Sequence, residues 1–273
     1  MLSKWLQHQP RSIPTYKFSV SDITEASALS EDILSFIAKE VVVAHGSPVM
    51  IKQECKKLLA HARDLKLNVI KDYIEREVLP AEGRPQIRSG NFGEILAAVY
   101  LVEFEGFWFP IYKLRYREKK DWSIRLTDLC LIKREGVRRP LLCFGEVKTK
   151  AVNCNVNLGV EGHDSLAKDN ALEDPEVLRF IGTHLYEMGK LEEADFISDI
   201  RLNLREYDRR HDLFIVHNKE HWKEEVLDNL ENHDLNKNLI NFSVKIVLIS
   251  KLKEVMDNVY ARAWKAAEVM VHE

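Results

Sequence analysis

An α/β fold with a mixed central sheet flanked by helices, preceded by an N-terminal helical region, is what this sequence predicts. Three observations carry it. Apolar runs of strand length, among them Leu129-Cys130-Leu131-Ile132, Leu141-Leu142-Cys143-Phe144 and Leu213-Phe214-Ile215-Val216, are bounded by turn and charged residues. Helical periodicity fills the first third of the chain and the stretches between the later runs. Parallel strands joined by helices imply a sheet covered on both faces.

Taken in order, residues 1–80 read as a mainly helical subdomain and residues 81–273 as the sheet-bearing domain. Thr15 to Val20 alternates weakly, as a short strand does. From Ser30, the residues Ile33, Phe36, Ile37 and Val41 recur at helical spacing until Gly46. Ser47-Pro48 supplies an N-cap and a first-turn proline to a second helix, with Ile51, Cys55, Leu58, Leu59 and Ala62 inward. A third helix is expected from Leu67 to Leu79, stopped by Pro80. Ala81-Glu82-Gly83-Arg84-Pro85 is the expected linker. Ser89 or Asn91 then caps the helix carrying Glu94, whose free amides beside Arg84 and Arg88 could accept a phosphate. The alternative is plain capping, with the arginines in solvent.

Strands are expected over Phe107–Leu114, Ser123–Lys133 and Arg139–Lys148, the last two joined by a turn at Arg134-Glu135-Gly136-Val137. Helices over Pro175–Met188 and Glu192–Arg205, a strand at Leu213–Val216, a helix over Lys219–Leu230, a strand over Phe242–Ser250 and an amphipathic helix over Lys251–Met270 complete the chain.

Size and composition bound the function. The 273 residues suffice for one large domain or a domain with an appended subdomain, and 45% apolar with 30% charged residues is a globular balance. No apolar run approaches the roughly 18 residues of a membrane span, and no apolar stretch follows Met1-Leu2-Ser3-Lys4-Trp5, so a cytoplasmic protein is expected. The cysteines at 55, 130, 143 and 154 lack the spacing of a zinc site, and Cys130 and Cys143 fall in strand patterns as small core residues. A net charge of −3 excludes a uniformly basic nucleic-acid binder, yet the distribution is uneven. Lys113, Arg115, Arg117, Lys119, Lys120 and Arg125 interleave with Tyr112, Tyr116 and Trp122, whereas Glu173 to Asp199 is acidic. The basic stretch is either a backbone-binding surface or a solubilising rim.

Charge inside apolar elements marks the chemistry, because an unpaired buried charge is costly. Glu94 sits within Gly93-Glu94-Ile95-Leu96-Ala97, Asp128 within Leu126-Thr127-Asp128-Leu129, and Glu146 and Lys148 at the end of Cys143-Phe144-Gly145-Glu146-Val147-Lys148. Strand alternation sends Glu146 and Lys148 to one face and Val147 to the other. Carboxylates from two neighbouring strands and an ammonium can converge on a divalent cation, and strand ends favour such sites. Cross-strand ion pairs on an exposed edge are the alternative. His217-Asn218-Lys219-Glu220-His221 matches an inverted zinc-protease string, but His217 follows a strand directly and cannot share a helical face with His221. No phosphate loop and no nucleophile elbow occurs.

The helix with Glu94, Asp128 and the Glu146-Val147-Lys148 pattern resembles the PD-(D/E)xK nuclease superfamily, and implies its restriction-endonuclease-like core. Gly90-Asn91-Phe92-Gly93-Glu94, Thr127-Asp128, Phe144-Gly145-Glu146-Val147-Lys148 and, more loosely, Pro175-Glu176-Val177-Leu178-Arg179-Phe180 resemble the DUF1837 family, the nuclease subunits (HamA) of Hachiman anti-phage defence systems. The resemblance implies a DNA-degrading effector held by a large helicase partner (HamB), with Mg2+ or Mn2+ as cofactor. Asp128, Glu146 and the Val147 carbonyl would bind the metal, Lys148 would activate the water and stabilise charge at phosphorus, and Glu94 would support the water or a second metal. Thr127 stands where the superfamily has proline. On this reading Arg88, Lys113, Arg115, Arg117, Lys119 and Lys120 contact DNA, and the acidic Glu173 to Asp199 stretch contacts the partner. A catalytically inactive adaptor of the same fold is the alternative.

Overall fold

The computed structural model describes residues 1–11, 16–62, 68–122, 126–168 and 175–272. Among these, six strands form one sheet: β1 (Leu6–Pro10), β2 (Ser19–Glu25), β3 (Leu129–Lys133), β4 (Leu141–Lys150), β5 (Asp208–Asn218) and β6 (Ser243–Ile249), in spatial order β1-β2-β6-β5-β4-β3. The inner pairings are parallel and the two outermost antiparallel. The sheet is therefore mixed and flanked by helices, as the sequence predicts.

The expected boundary near residue 80 divides neither sheet nor core. β2 pairs with β6, and one apolar cluster runs from Leu2 and Trp5 to Met270 and Val271. β1 has no sequence signal, since only Leu6 of its residues is buried. β2 overlaps the expected strand only at Ser19 and Val20 and runs on to Glu25; Thr15 falls outside the described residues, and the buried Val20 and Ile23 do not alternate.

Helix α1 (Glu31–His45) begins at Ser30, whose side chain accepts the Ile33 amide, and stops at Gly46. Helix α2 (Pro48–His61) buries Ile51 and Cys55, but Leu58 and Ala62 are half-buried and Leu59 is exposed, because the helix meets the core only over its first turns. The third helical stretch, whose expected start at Leu67 lies outside the described residues, consists of α3 (Val69–Tyr73) and a π-helical turn at Ile74–Val78. Helix α4 spans Pro85–Glu105 and starts at its proline, where a missing N–H costs nothing. Ser89 and Asn91 are thus interior residues and not caps, so the phosphate-accepting amides expected there do not exist.

Phe107–Leu114 is not a strand. Pro110 cannot donate to a ladder, and only an isolated bridge from Trp108 to Ile132 forms before a 3-10 turn at Lys113–Tyr116. β3 is shorter than expected; residues 123–125 lie outside the described set. Beyond β4 comes α5 (Leu158–Leu166), which was not anticipated because Gly159 and Gly162 weaken its helical signal. Gly162 lets it lie on the sheet, since a Cβ there would stand 2.4 Å from Leu213 Cδ1. Helices α6 (Pro175–Glu187) and α7 (Leu191–Leu202) match the sequence reading. The helix expected over Lys219–Leu230 divides into a 3-10 turn at Lys219–His221 and α8 (Glu225–Glu231), and α9 spans Leu252–His272.

Alternation along the strands builds three layers. Cys143 and Val147 of β4 with Phe214 and Val216 of β5 face α1, α4 and α9. Leu142 and Phe144 face α6 and α7, while Leu213, Ile215, Val244 and Ile246 face α5 and α8.

Candidate active site

β4 outruns its antiparallel neighbour. The β3 ladder ends at Leu129 opposite Gly145, so the β4 segment Glu146–Lys150 has no β3 partner. That leaves a notch at the sheet edge with an unpaired backbone amide, which must find an acceptor. Asp128, the residue just before β3, supplies it: its Oδ2 accepts the Val147 N–H at 3.0 Å. Since the N–H and C=O of a strand residue point to the same side, the Val147 carbonyl faces the same notch.

The helix layer closes the notch from the other side. α4 approaches β4 at Gly93, where a Cβ would lie 1.9 Å from Thr149 Oγ1 and 3.1 Å from Val147 Cγ1. Only glycine permits that approach, and it brings Glu94 to the site. Lys113, from the 3-10 turn, lies between the two acids: its Nζ donates to Asp128 Oδ1 at 2.7 Å and to the Leu126 carbonyl at 3.0 Å, and stands 3.5 Å from Glu94 Oε2. Across the ladder from Asp128, Glu146 Oε1 accepts from Lys148 Nζ at 2.7 Å, and the same ammonium donates to Ser165 Oγ of α5 at 3.0 Å.

The structure thus brings Glu94, Asp128, Glu146 and Lys148 to one end of the sheet together with Lys113 and Ser165. Three carboxyl groups share it with two ammonium groups. The surplus is visible in the acidities. Burial, reinforced by the Asp128 charge, pushes Glu94 up to about 8, and burial with the Asp128 charge also raises Glu146. Burial alone would lower Lys113, but the Glu94 and Asp128 carboxylates outweigh it and raise it. Hard oxygen donors crowded against their own repulsion suit a divalent cation of the magnesium or manganese type. Asp128, Glu146 and the Val147 carbonyl are the donors that fit. Glu94 is separated from them by the Lys113 ammonium, and the three carboxylates do not close on one point.

The residues expected to contact DNA are mostly spent inside the fold. Arg88 Nε donates to the Pro80 carbonyl and its guanidinium lies over the Tyr260 ring. Lys113 is buried in the site itself. Arg115 binds the Val43 carbonyl, Arg117 binds Asn91 Oδ1 and the Lys120 carbonyl, and Lys120 Nζ binds the Glu75 and Arg76 carbonyls. Lys119 alone of the set is exposed, with its ammonium over Trp122. Carbonyls left open at the end of α1 and in the π-helical turn attract these cations, a demand no local sequence reveals.

A second network braces α4. Buried His45 donates from Nδ1 to the Val41 carbonyl and accepts from Asn91 Nδ2 at 2.9 Å through Nε2. Asn91 Oδ1 in turn accepts from Arg117 at 2.7 Å. Burial lowers His45 to about 4, which keeps it neutral. Asn91 lies one turn before Glu94, so the chain fixes the helix that carries the acid.

Two other constellations hold no metal chemistry. His217 is buried in β5 and His221 lies in the 3-10 turn, so the zinc-protease string does not share a helix. His163, Asp164 and His233 approach one another, but His163 Nε2 accepts the Asn236 amide at 3.0 Å, so its Nδ1 carries the proton and donates to Asp164. A metal would need that lone pair. The cluster instead ties α5, and with it Ser165, to the segment around Asn236. The cysteines form no disulfide, and Cys55, Cys130 and Cys143 are core residues.

The profile of the HamA family matches residues 3–263. The Hachiman protein HamA of Bacillus cereus is 25% identical over 205 residues, covering 74% of this chain and 69% of that protein. A match over nearly the whole chain, from β1 into α9, leaves one conclusion: the chain belongs to the HamA family and is a HamA-like Hachiman component.

Proposed function

We propose that the protein is the metal-dependent nuclease effector of an anti-phage defence system, hydrolysing DNA phosphodiester bonds with little sequence specificity under the restraint of a helicase partner. Family membership supports the defence role. The single observation that supports the chemistry is the notch beside the start of β3, around which Asp128, Glu146, Lys148 and the helix acid Glu94 are gathered. A restriction-endonuclease-like reading of the mixed sheet accords with that placement.

Asp128, Glu146 and the Val147 carbonyl would hold a Mg2+ or Mn2+ ion, which when bound neutralises a phosphate oxygen and lowers the pKa of water. Lys148 is held by Glu146 and Ser165 at the mouth of the notch, where its ammonium can orient a water and stabilise charge growing at phosphorus. Asp128 does two jobs: it braces the Val147 amide, which fixes β4, and offers its remaining lone pairs to the cation. The acids and ammonium groups described in the notch suit phosphate and metal, so affinity would come from phosphate contacts and fall with salt. Exposed Lys119 is the member of the basic segment placed to make one.

The partner surface fits the acidic helix pair. At the turn between α6 and α7, exposed Tyr186, Met188 and Leu191 lie among Glu187 and Glu192, an apolar patch with an acidic rim; Glu173 and Asp174 of the expected surface are outside the described residues. Plasmid incubated with the purified chain and Mg2+ should be cut, with a chelator or the pair Glu146→Ala, Lys148→Ala abolishing cleavage. Where the isolated chain is restrained, the same assay belongs on the complex with its partner. Defence retained in full by the double variant would select the adaptor reading instead.

A further inference from the structure

Lys113 is a buried ammonium set between two acids. Its Nζ donates to Asp128 Oδ1 and the Leu126 carbonyl and forms an ion pair with Glu94 Oε2 at 3.5 Å, and the side chain is only 9% exposed. Its backbone is pinned on both sides, since Tyr112 Oη donates to Glu40 at 3.1 Å and Arg115 clasps the Val43 carbonyl. Glu94 would otherwise be the ligand that bridges to a second ion from Asp128. That position is filled by a buried ammonium paired with both acids.

We propose that Lys113 is a built-in counter-cation, standing between Glu94 and Asp128 where a second metal would bind, so that the site loads one divalent ion, at Asp128 and Glu146. This rests on the metal-dependent reading above and deepens it. Counted with all three acids ionised, two ammonium groups and one divalent ion leave a single positive charge facing the phosphate, whereas a second ion would leave three, with two cations contesting Glu94. The task of the second metal, holding Glu94 and Asp128 in place, falls to a side chain that is always present.

The test counts ions without reference to activity. Purified full-length chain is titrated with Mn2+, and free Mn2+ is read by electron paramagnetic resonance. The wild type should bind one ion per chain, Lys113→Gln should bind two, and Glu94→Gln should still bind one. Two ions on the wild type, or a count unchanged by Lys113→Gln in protein that melts cooperatively, would overturn the proposal and leave the nuclease reading standing. No ion on the wild type would instead overturn the metal-dependent reading itself. Should Lys113→Gln fail to fold, the wild-type count and the Glu94→Gln count decide: a count that drops with Glu94→Gln makes Glu94 a ligand and sinks the idea.

Discussion

Replacing Glu94 by glutamine should make the metal-free protein more stable at alkaline pH, although it removes a charged partner of Lys113. The carboxyl is held up at about 8 by burial and by the Asp128 charge, against an ordinary value of 4.5. Between those two values the folded state keeps a proton that the unfolded state has released, so stability falls as pH rises through the window. Each pH unit inside it removes about 1.4 kcal/mol, and the slope fades as pH reaches the upper value. From pH 6 to pH 8 the wild type should therefore lose about 2 kcal/mol through Glu94 alone. Glutamine mimics the protonated acid and has no such slope. Urea melts of both proteins in chelator, at pH 6 and pH 8, measure the difference directly. Parallel pH dependences, or a variant less stable at pH 8 than the wild type, would refute the reasoning, because Glu94 would then not be a crowded, buried acid.

Other outcomes follow from the same contacts. Gly93→Ala should cost about 1–3 kcal/mol, because the new methyl meets Thr149 and Val147, and calorimetry would show it. Between pH 7 and pH 5 the buried neutral His45 should withdraw about 2 kcal/mol of stability as the unfolded state takes up protons, and His45→Gln should lack this component in denaturant melts. Lys119→Glu should weaken DNA binding in a low-salt shift assay and leave the melting temperature unchanged. Lys120→Glu should destabilise by about 1–3 kcal/mol, since it strips the Glu75 and Arg76 carbonyls of their donor; equal melting temperatures for the two variants would contradict that assignment.

Much of this site was legible because its charges interrupt apolar strands. Glu146 and Lys148 at the end of β4, Asp128 before β3 and Glu94 in α4 all stand where the residue pattern puts them. The basic segment was read wrongly in part, and the cause is tertiary. Lys113 resembles its neighbours in composition, but the 3-10 turn after Pro110 turns it inward to acids from α4 and the start of β3. Arg115, Arg117 and Lys120 saturate acceptors on α1, α4 and the π-helical turn, elements far away in the chain. Ser165 was missed for a different reason: the glycines that let α5 approach the sheet also erase its periodic signature. β1 is hard to read because this edge strand buries only Leu6, and β2 because Val20 and Ile23 are its only buried residues, so alternation is weak in both.

The central claim is that Asp128 and Glu146 share one divalent cation in the notch. Iron-directed backbone cleavage tests it in the resting protein: Fe2+ is substituted into the site, and peroxide with ascorbate cuts the chain beside whatever holds the metal. The account predicts breaks next to Asp128 and in Glu146–Lys148, suppressed by excess Mg2+ and lost in Glu146→Ala. Breaks confined to other segments, such as that around His163 and His233, or breaks that Mg2+ does not suppress, would contradict it.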